Sequence, residues 1–165
     1  MTLEPGNRDL DKLSKASSGS CEWFETEVYV RKRDAFAEEH EPAIVHLEGL
    51  MELAELTGLP PGNYDAPVGR NRLIARRPKP WVGELKSDGP EDEHGHVRQY
   101  RLYFGEAPVD QASLLAAFID WKHTGWPVRK QKSKQTTHIT KAMDQITNWC
   151  RTRRQDYRKL WDSGS

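Results

Sequence analysis

Two alternating segments near the middle of the chain carry cations of the types that bind phosphate. In the first, Trp81 to Lys86, the side chains alternate between two faces, and Lys86 shares its face with Val82 and Glu84. In the second, Val97 to Tyr103, Arg101 lies on one face and Arg98 on the other. A guanidinium can donate two hydrogen bonds to one phosphate, and a lysine crowded by other cations can lose its proton and act as a base. These residues point to phosphate chemistry, unless Arg101 is a surface ion-pair residue and Lys86 an exposed strand lysine.

A second group of cations follows, and it is mixed with aromatic residues. We interpret residues 122–135 as a basic loop that contains Trp126, Lys122, Arg129, Lys130 and Lys132. Aromatic rings stack on bases while lysine and arginine contact phosphates, so this mixture is typical of surfaces that bind RNA. Trp126 could instead be buried against the predicted sheet.

Two histidines, His123 and His138, flank this basic loop. Both are candidates for a general acid because histidine titrates near neutral pH. No spacing in the sequence places either of them beside Arg101, and both could instead be ordinary polar or capping residues.

The sequence gives little support for a metal site or a disulfide. His94 and His96 lie beside three acidic residues at 91–93, but one His-x-His pair in a loop is a weak signal for a metal. Cys21 and Cys150 are far apart and lack metal-type spacing, so we expect two free thiols. We therefore predict no metal and no cofactor.

The charges of the chain are divided between its two halves. Residues 1–69 contain 6 Lys and Arg against 14 Asp and Glu, a net charge of −8, and residues 70–165 contain 19 against 11, a net charge of +8. Such asymmetry indicates a basic working surface, for which nucleic acid is the commonest partner. Alternatively, the acidic helices of the chain itself neutralise this surface.

Length and composition suit one globular domain. The chain has 165 residues, of which 36% are hydrophobic and 30% charged, enough to bury a core without disulfides. No apolar run approaches the roughly 18 residues of a membrane span, and the first residues lack the apolar core of a signal peptide. We expect a cytoplasmic protein with no membrane partner.

The elements that position these residues follow from local patterns. Alternation predicts a strand over 22–30, and apolar spacings of three and four predict a helix from Pro42 to about Gly58, after a short helix over 34–40. The hairpin around Lys86 and Arg101 comes next, joined by an acidic, Gly/Pro-containing loop over 87–96 that cannot continue either strand.

The remaining stretches complete the predicted order. Residues 112–121 are nearly all apolar, which favours a central strand, although their alanines and leucines would also suit a helix. The last helix is predicted from a cap at Thr136 or Thr137 to Cys150. We therefore expect three regions: a disordered lead-in over 1–20, the folded domain over 21–150, and a basic C-terminal extension of the last helix over 151–165.

This order predicts an α+β fold. A small, mainly antiparallel sheet carries an N-terminal helical pair and a C-terminal helix, in the order β-α-α-β-β-β-α, with the helices on one face. Residues 63–79 are left as a short strand or a loop.

Several of these segments resemble one family. The chain is similar to the RelE/HigB-like superfamily of type II toxins, and in particular to its phage-derived HigB-like branch. The matching segments are Gly83-Glu84-Leu85-Lys86, Tyr100-Arg101-Leu102-Tyr103, Phe118 to Lys122, Lys132 to Ala142, and Leu53 to Pro61. Together they extend over about residues 22–150. Three features depart from the family pattern: Lys86 stands where arginine is usual, the hairpin loop is long and acidic, and the C-terminal tail is additional.

The resemblance implies a toxin of a toxin–antitoxin system. Toxins of this kind cut mRNA on the ribosome without a metal, by directing the ribose 2′-hydroxyl onto the adjacent phosphate. Lys86, Arg101 and His123 would then be catalytic, and the RNA-binding residues would be Arg98, Lys122, Trp126, Arg129, Lys130 and Lys132. The partners implied are mRNA and a cognate antitoxin protein with a helix-turn-helix.

A second function is compatible with the same fold. The chain could be a non-catalytic binding protein that holds RNA or inhibits a replication enzyme, because function depends on the site and not on the fold.

Overall fold

The computed structural model describes residues 11–70, 74 and 78–160, and these form an α+β fold around a five-stranded sheet. Its elements are β1 (Glu22–Glu25), α1 (Glu27–Glu39), α2 (Glu41–Leu56), β2 (Asp65–Val68), β3 (Val82–Glu91), β4 (Val97–Gly105), β5 (Ser113–His123) and α3 (Val128–Arg153). The strand order is β1-β5-β4-β3-β2, antiparallel except for the parallel pair β1–β5. The predicted fold class is confirmed, the strand at 112–121 is present, and β2 adds one short strand.

Helices cover both faces of the sheet, which corrects the expectation of one covered face. On one face, Ile44 and Leu47 of α2 pack with Leu102 of β4. On the other, Met143 of α3 packs with Tyr103 of the same strand. Successive strand residues point to opposite faces, so a central strand that is apolar at consecutive positions needs a cover on each side.

The first strand is shorter than predicted. Strand β1 ends at Glu25 and helix α1 begins at Glu27, so the strand prediction for 26–30 and the late start of the helix at 34 are both wrong. The cause is Thr26, whose hydroxyl accepts a hydrogen bond from the Tyr29 amide at 3.1 Å and donates one to the Ala117 carbonyl at 2.8 Å. This N-cap starts a helix inside an alternating sequence that by itself favours a strand.

Helix α3 begins eight residues earlier than the predicted cap at Thr136. Residues 128–135 are its first two turns and not part of a loop, and Pro127 occupies the N-cap position. Their lysines, glutamines and arginine are good helix formers but show no apolar stripe, so periodicity could not reveal them.

The two ends of the described chain also differ from expectation. Helix α3 stops at Arg153, and Arg154 has a left-handed conformation, so residues 155–160 do not extend the helix. They run alongside Trp81, whose amide donates to the Arg158 carbonyl at 2.8 Å. Residues 11–20, expected to be disordered, contain a 3-10 helix over Lys15–Ser17 and bury Ala16 completely. Residues 1–10 and 161–165 lie outside the described residues.

The hairpin that carries the central cations is longer than expected. Strand β3 continues through Gly89 and Pro90 to Glu91, with an irregular register between Asp88 and Glu91. Strand β2 pairs with β3 only near residues 82–84, and the pairing of β3 with β4 is irregular around Pro90, which is the kind of position where a strand tolerates a proline.

A bulge in β5 determines which of its residues share a face with Arg101. Tyr103 pairs with Phe118 and Phe104 with Ala116, which leaves Ala117 as the extra residue. Beyond the bulge, Asp120 and Lys122 lie on the face covered by α3. No helix within the described residues is long and apolar enough to cross a membrane.

Candidate functional site

The sheet register brings the two central cations together. Lys86 of β3 is directly opposite Arg101 of β4, and Gln99 of β4 is opposite Lys122 of β5. Residues at directly opposite positions share a face, so Lys86, Arg101 and Lys122 form one group on the α3 face. The structure thus juxtaposes three of the residues that the sequence singled out.

The guanidinium of Arg101 is enclosed by two neighbours. Nη1 donates to the two carboxylate oxygens of Glu84 at 3.0 and 3.1 Å. Nε and Nη2 donate to the Gln99 side-chain oxygen at 3.1 and 2.6 Å. Arg101 is only 7% exposed. A buried arginine held by a carboxylate and an amide is positioned rather than mobile, and its charge is compensated in this state.

Glu84 also belongs to this group, although it is not among the site residues predicted from the sequence. Its carboxylate is 1% exposed, and burial raises its pKa although Arg101 and Lys86 oppose that shift. The Gln135 amide of α3 donates to it at 3.4 Å. A carboxylate with a raised pKa beside cations has the protonation behaviour of an acid–base group. The signal available in the sequence was its alternation onto the face of Lys86.

The two lysines of the group differ in their surroundings. Lys86 is exposed and makes an ion pair with Asp65 at 2.6 Å, while Glu84 lies 3.8 Å away. Lys122 is half-buried, and its pKa is lowered first by burial and then by the nearby charges of Arg101 and Lys86. The lysine whose pKa is lowered is thus Lys122, an effect that the sequence had suggested for Lys86.

Tyr103 lies beneath the same group. It is completely buried, and its hydroxyl makes no hydrogen bond to any described residue. Burial raises its pKa, and the charge of Glu84 adds to that shift. A buried hydroxyl without a partner carries a desolvation cost, so the site is not arranged for maximal stability.

A second titratable pair borders the group on β5. Asp120 pairs in register with Arg101, and its carboxylate lies 3.4 Å from Nε2 of His138 on α3 and 3.1 Å from Nζ of Lys32 on α1. Burial lowers the pKa of His138 to about 4, assisted by the charge of Lys141 and opposed by that of Asp120. His138 is therefore neutral at physiological pH.

The other predicted residues lie at the hairpin end of the sheet. Arg98 faces away from Arg101, as alternation predicted, because it makes an ion pair with Glu39 of α1 at 2.8 Å and stacks 4.2 Å from the Trp121 ring centre. Trp126 is half-buried with its ring 5.5 Å from that of Trp121, and the Lys130 ammonium lies 4.2 Å above it.

His123 is not part of the Arg101 group. It is paired in register with Arg98, its Nε2 lies 3.3 Å from Asp92 of the hairpin loop, and its Nδ1 accepts from the Gly125 amide at 3.1 Å. Arg129 and Lys132 are exposed on the first turns of α3.

His94 and His96 come close to each other in the hairpin loop, with ring centres 6.4 Å apart. Within the described part of the chain, no group of three or more histidine, cysteine or acidic residues has the arrangement of a metal site. Both cysteines are buried and free.

Comparison with known proteins adds no assignment: no family model, no curated protein and no solved structure matches this chain.

Proposed function

We propose that the chain is the RNA-cleaving toxin of a cytoplasmic toxin–antitoxin pair and acts on mRNA at the ribosome. One observation carries this proposal: Lys86, Arg101 and Lys122 converge on one face of the sheet beside the buried carboxylate of Glu84. The strand segments that resemble RelE/HigB-like toxins supply the members of this group.

Cleavage by the ribose 2′-hydroxyl needs a base, cations and an acid. In the proposed step, Glu84 takes the 2′ proton while the 2′ oxygen attacks phosphorus. The bond to the 5′ oxygen then breaks, and Lys122 donates a proton to it, which gives a 2′,3′-cyclic phosphate and a 5′-hydroxyl. Arg101 and Lys86 offset the charge that develops on the phosphoryl oxygens. The raised pKa of Glu84 and the lowered pKa of Lys122 suit these roles.

The exposed cations would hold the RNA. Arg129, Lys130 and Lys132 lie on the first turns of α3, and Trp126 offers a ring for stacking beside Lys130. Affinity for single-stranded RNA should fall steeply with salt because each phosphate contact releases a counterion. An antitoxin protein with a helix-turn-helix is the proposed second partner.

The decisive experiment induces the gene and follows growth and mRNA integrity. Arg101→Ala should abolish growth arrest and lower the cleavage rate of purified protein on ribosomes by on the order of 10²–10³-fold. Circular dichroism must show that this variant is still folded, because it breaks the buried pair with Glu84. Arg98→Ala is the matched control: it removes the same charge from the same strand on the opposite face, and it should retain cleavage. Equal toxicity of Arg101→Ala and the parent chain would contradict the proposal.

One observation favours the non-catalytic alternative. The hydrogen-bonding groups of Arg101 are already occupied by Glu84 and Gln99, which would suit a structural arginine in a binding protein. In that case the parent chain binds RNA or a protein partner without cutting, and any loss of growth arrest in Arg101→Ala follows from loss of folded protein, because that variant breaks the buried pair with Glu84. End mapping of the mRNA separates the two functions, since only a nuclease leaves new 5′-hydroxyl ends.

A further inference from the structure

A cavity of about 400 Å³ lies at the edge of β3, next to the group around Arg101. Strand β2 pairs with β3 as far as Glu84, and before Asp65 the chain turns away in a 3-10 helix over Pro61–Asn63. This turn leaves a gap between α2 and the edge of β3, and its volume is within the range of sites that bind small molecules. Among the lining residues are His46 and Leu50 of α2, Asn63, Tyr64, Asp65, and Lys86 of β3.

The wall of the cavity at Tyr64 is held firmly in place. Tyr64 is buried, and its hydroxyl accepts a hydrogen bond from the Ser14 amide at 3.3 Å and lies 3.0 Å from the Ser17 hydroxyl. Its ring packs edge-on against Phe104, with ring centres 6.4 Å apart. A wall fixed in this way loses little conformational freedom when a ligand binds, which favours affinity.

Two polar side chains of the cavity have no partner in the protein. His46 and Asn63 are exposed, and within the described residues neither side chain makes a hydrogen bond or an ion pair. An imidazole ring can stack on a base, and a carboxamide can both donate and accept hydrogen bonds. The cavity therefore offers a ring and an amide that the fold itself does not use.

The cavity also contains a carboxylate that can change its partner. Asp65 pairs with Lys86 at 2.6 Å, and the two side chains are 58% and 41% exposed. An exposed pair of this kind contributes at most about 1 kcal/mol, so a phosphate can replace Asp65 on the Lys86 ammonium. Glu84 also lines the cavity, but its carboxylate is already held by Arg101 and Gln135. Asp65 is thus the carboxylate that is available to a ligand.

We propose that this cavity binds a guanine base whose neighbouring phosphate lies on Lys86. Guanine presents two adjacent donors, N1–H and the N2 amino group, and a carboxylate such as Asp65 accepts two parallel hydrogen bonds. Adenine and cytosine place an acceptor nitrogen beside their amino group, and uracil has a single N–H between two carbonyls, so none of them matches a carboxylate in this way. The Asn63 amide would donate to guanine O6, and His46 would stack on the base.

The guanine site rests on the proposed function in one respect, namely that Lys86 holds a phosphate of the RNA. It adds a base preference next to that phosphate, and it assigns this preference to Asp65. The preference can be measured with single nucleotides, without ribosomes and without cleavage.

Titration calorimetry with the full-length protein tests the preference directly. The four ligands are the 5′-monophosphates GMP, AMP, CMP and UMP. GMP should bind at least tenfold more tightly than each of the others, because a well-placed pair of base contacts discriminates by about that factor or more. Guanosine should bind more weakly than GMP, and the difference should shrink at high salt, which screens the contact between Lys86 and phosphate.

Two variants that each remove one negative charge locate the contact. Asp65→Asn should weaken GMP binding at least tenfold and leave AMP binding unchanged, because the amide nitrogen would face a guanine donor. Asp110→Asn, in an exposed loop outside the cavity, should leave the affinity for all four nucleotides unchanged. Unfolding of Asp65→Asn would lower the affinity for AMP as well, so the selective loss of GMP distinguishes a lost contact from a lost fold.

Equal affinity for the four nucleotides would overturn the proposal, and so would equal GMP affinity in Asp65→Asn and the parent chain. The outcome is separable from that of the nuclease. A chain that binds GMP through Asp65 but does not cut mRNA keeps the guanine site and loses the proposed function. A chain that cuts mRNA but shows no guanine preference dependent on Asp65 keeps the proposed function and loses the guanine site.

Discussion

Arg98 and Arg101 lie three residues apart on β4, and the sheet gives them opposite surroundings. Arg98 points toward the side of α1 and α2, where it stacks on Trp121 and pairs with Glu39 at the surface. Arg101 points toward α3, where it is buried against Glu84 and Gln99. The same residue type is a surface contact on one face and the centre of a buried polar group on the other.

The two faces differ in the same way as a whole. On the α1–α2 face, the strand residues beneath the helices are almost all apolar, from Leu85 and Tyr100 to Leu102. On the α3 face, apolar packing under the middle of the helix gives way to charged and polar side chains under its first turns, where Gln135 and His138 contact Glu84 and Asp120. Both faces bury apolar residues, and the α3 face in addition holds charged groups whose burial costs free energy.

The largest effect is expected from a charge placed in the apolar face. Leu47 is 1% exposed in the centre of α2, and Leu47→Asp would bury a carboxylate without a partner. We expect a loss of more than about 4 kcal/mol and an unfolded chain at 25 °C, measured by circular dichroism. A folded Leu47→Asp protein would show that this face is not the main source of stability.

A smaller loss should follow from removing one partner of the buried pair. Glu84→Ala leaves the Arg101 charge in a nearly water-free site, with an expected cost of about 3–5 kcal/mol in urea unfolding. Arg98→Ala, which breaks a partly exposed pair, should cost less than about 1 kcal/mol. Similar losses in the two variants would remove the distinction between the two faces.

Burial of His138 on the α3 face predicts that the free energy of unfolding depends on pH. Its pKa falls from an ordinary value of 6.5 to about 4 in the folded protein. As the pH is lowered, the unfolded chain therefore binds a proton on this histidine before the folded protein does. Its contribution to stability is therefore complete above about pH 6.5 and decreases as the pH falls toward 4. Urea unfolding at pH 7 and pH 5 should show a smaller decrease for His138→Gln than for the parent chain; identical decreases would assign the effect to other groups.

The smallest effect should come from Tyr103→Phe. This change removes a buried hydroxyl that has no hydrogen-bond partner among the described residues, while the ring that packs under α3 stays. Stability should stay the same or increase by up to about 1 kcal/mol. A loss of more than about 1 kcal/mol would mean that the hydroxyl has a partner, and the polar group on this face would then be fully satisfied.

Local sequence patterns were sufficient for the elements whose periodicity is complete. The apolar spacing of α2, the alternation around Lys86 and Arg101, and the apolar run at 112–121 each predicted the right element, and the strand alternation placed Arg98 opposite to Arg101. These patterns record which side chains must leave water, and burial is the strongest term in folding.

Elements that depend on polar contacts were mispredicted. Thr26 starts α1 because its hydroxyl finds the Tyr29 amide and the Ala117 carbonyl, the second of which lies 91 residues away. The first turns of α3 carry no apolar stripe, yet Gln135 there reaches Glu84. Residues 11–20 look like a disordered lead-in until Ser14 and Lys15 bind the carboxylate of Glu106.

The candidate site shows the same difference between what local sequence determines and what contacts between distant segments determine. The sequence alone determined that β3 and β4 carry Lys86 and Arg101, because the two-residue period of a strand is local. Only the tertiary structure decided that Glu84 holds Arg101, that the bulge at Ala117 brings Lys122 to the same face, and that His123 lies elsewhere. Register and bulges arise from pairing between distant segments, so no single segment contains that information.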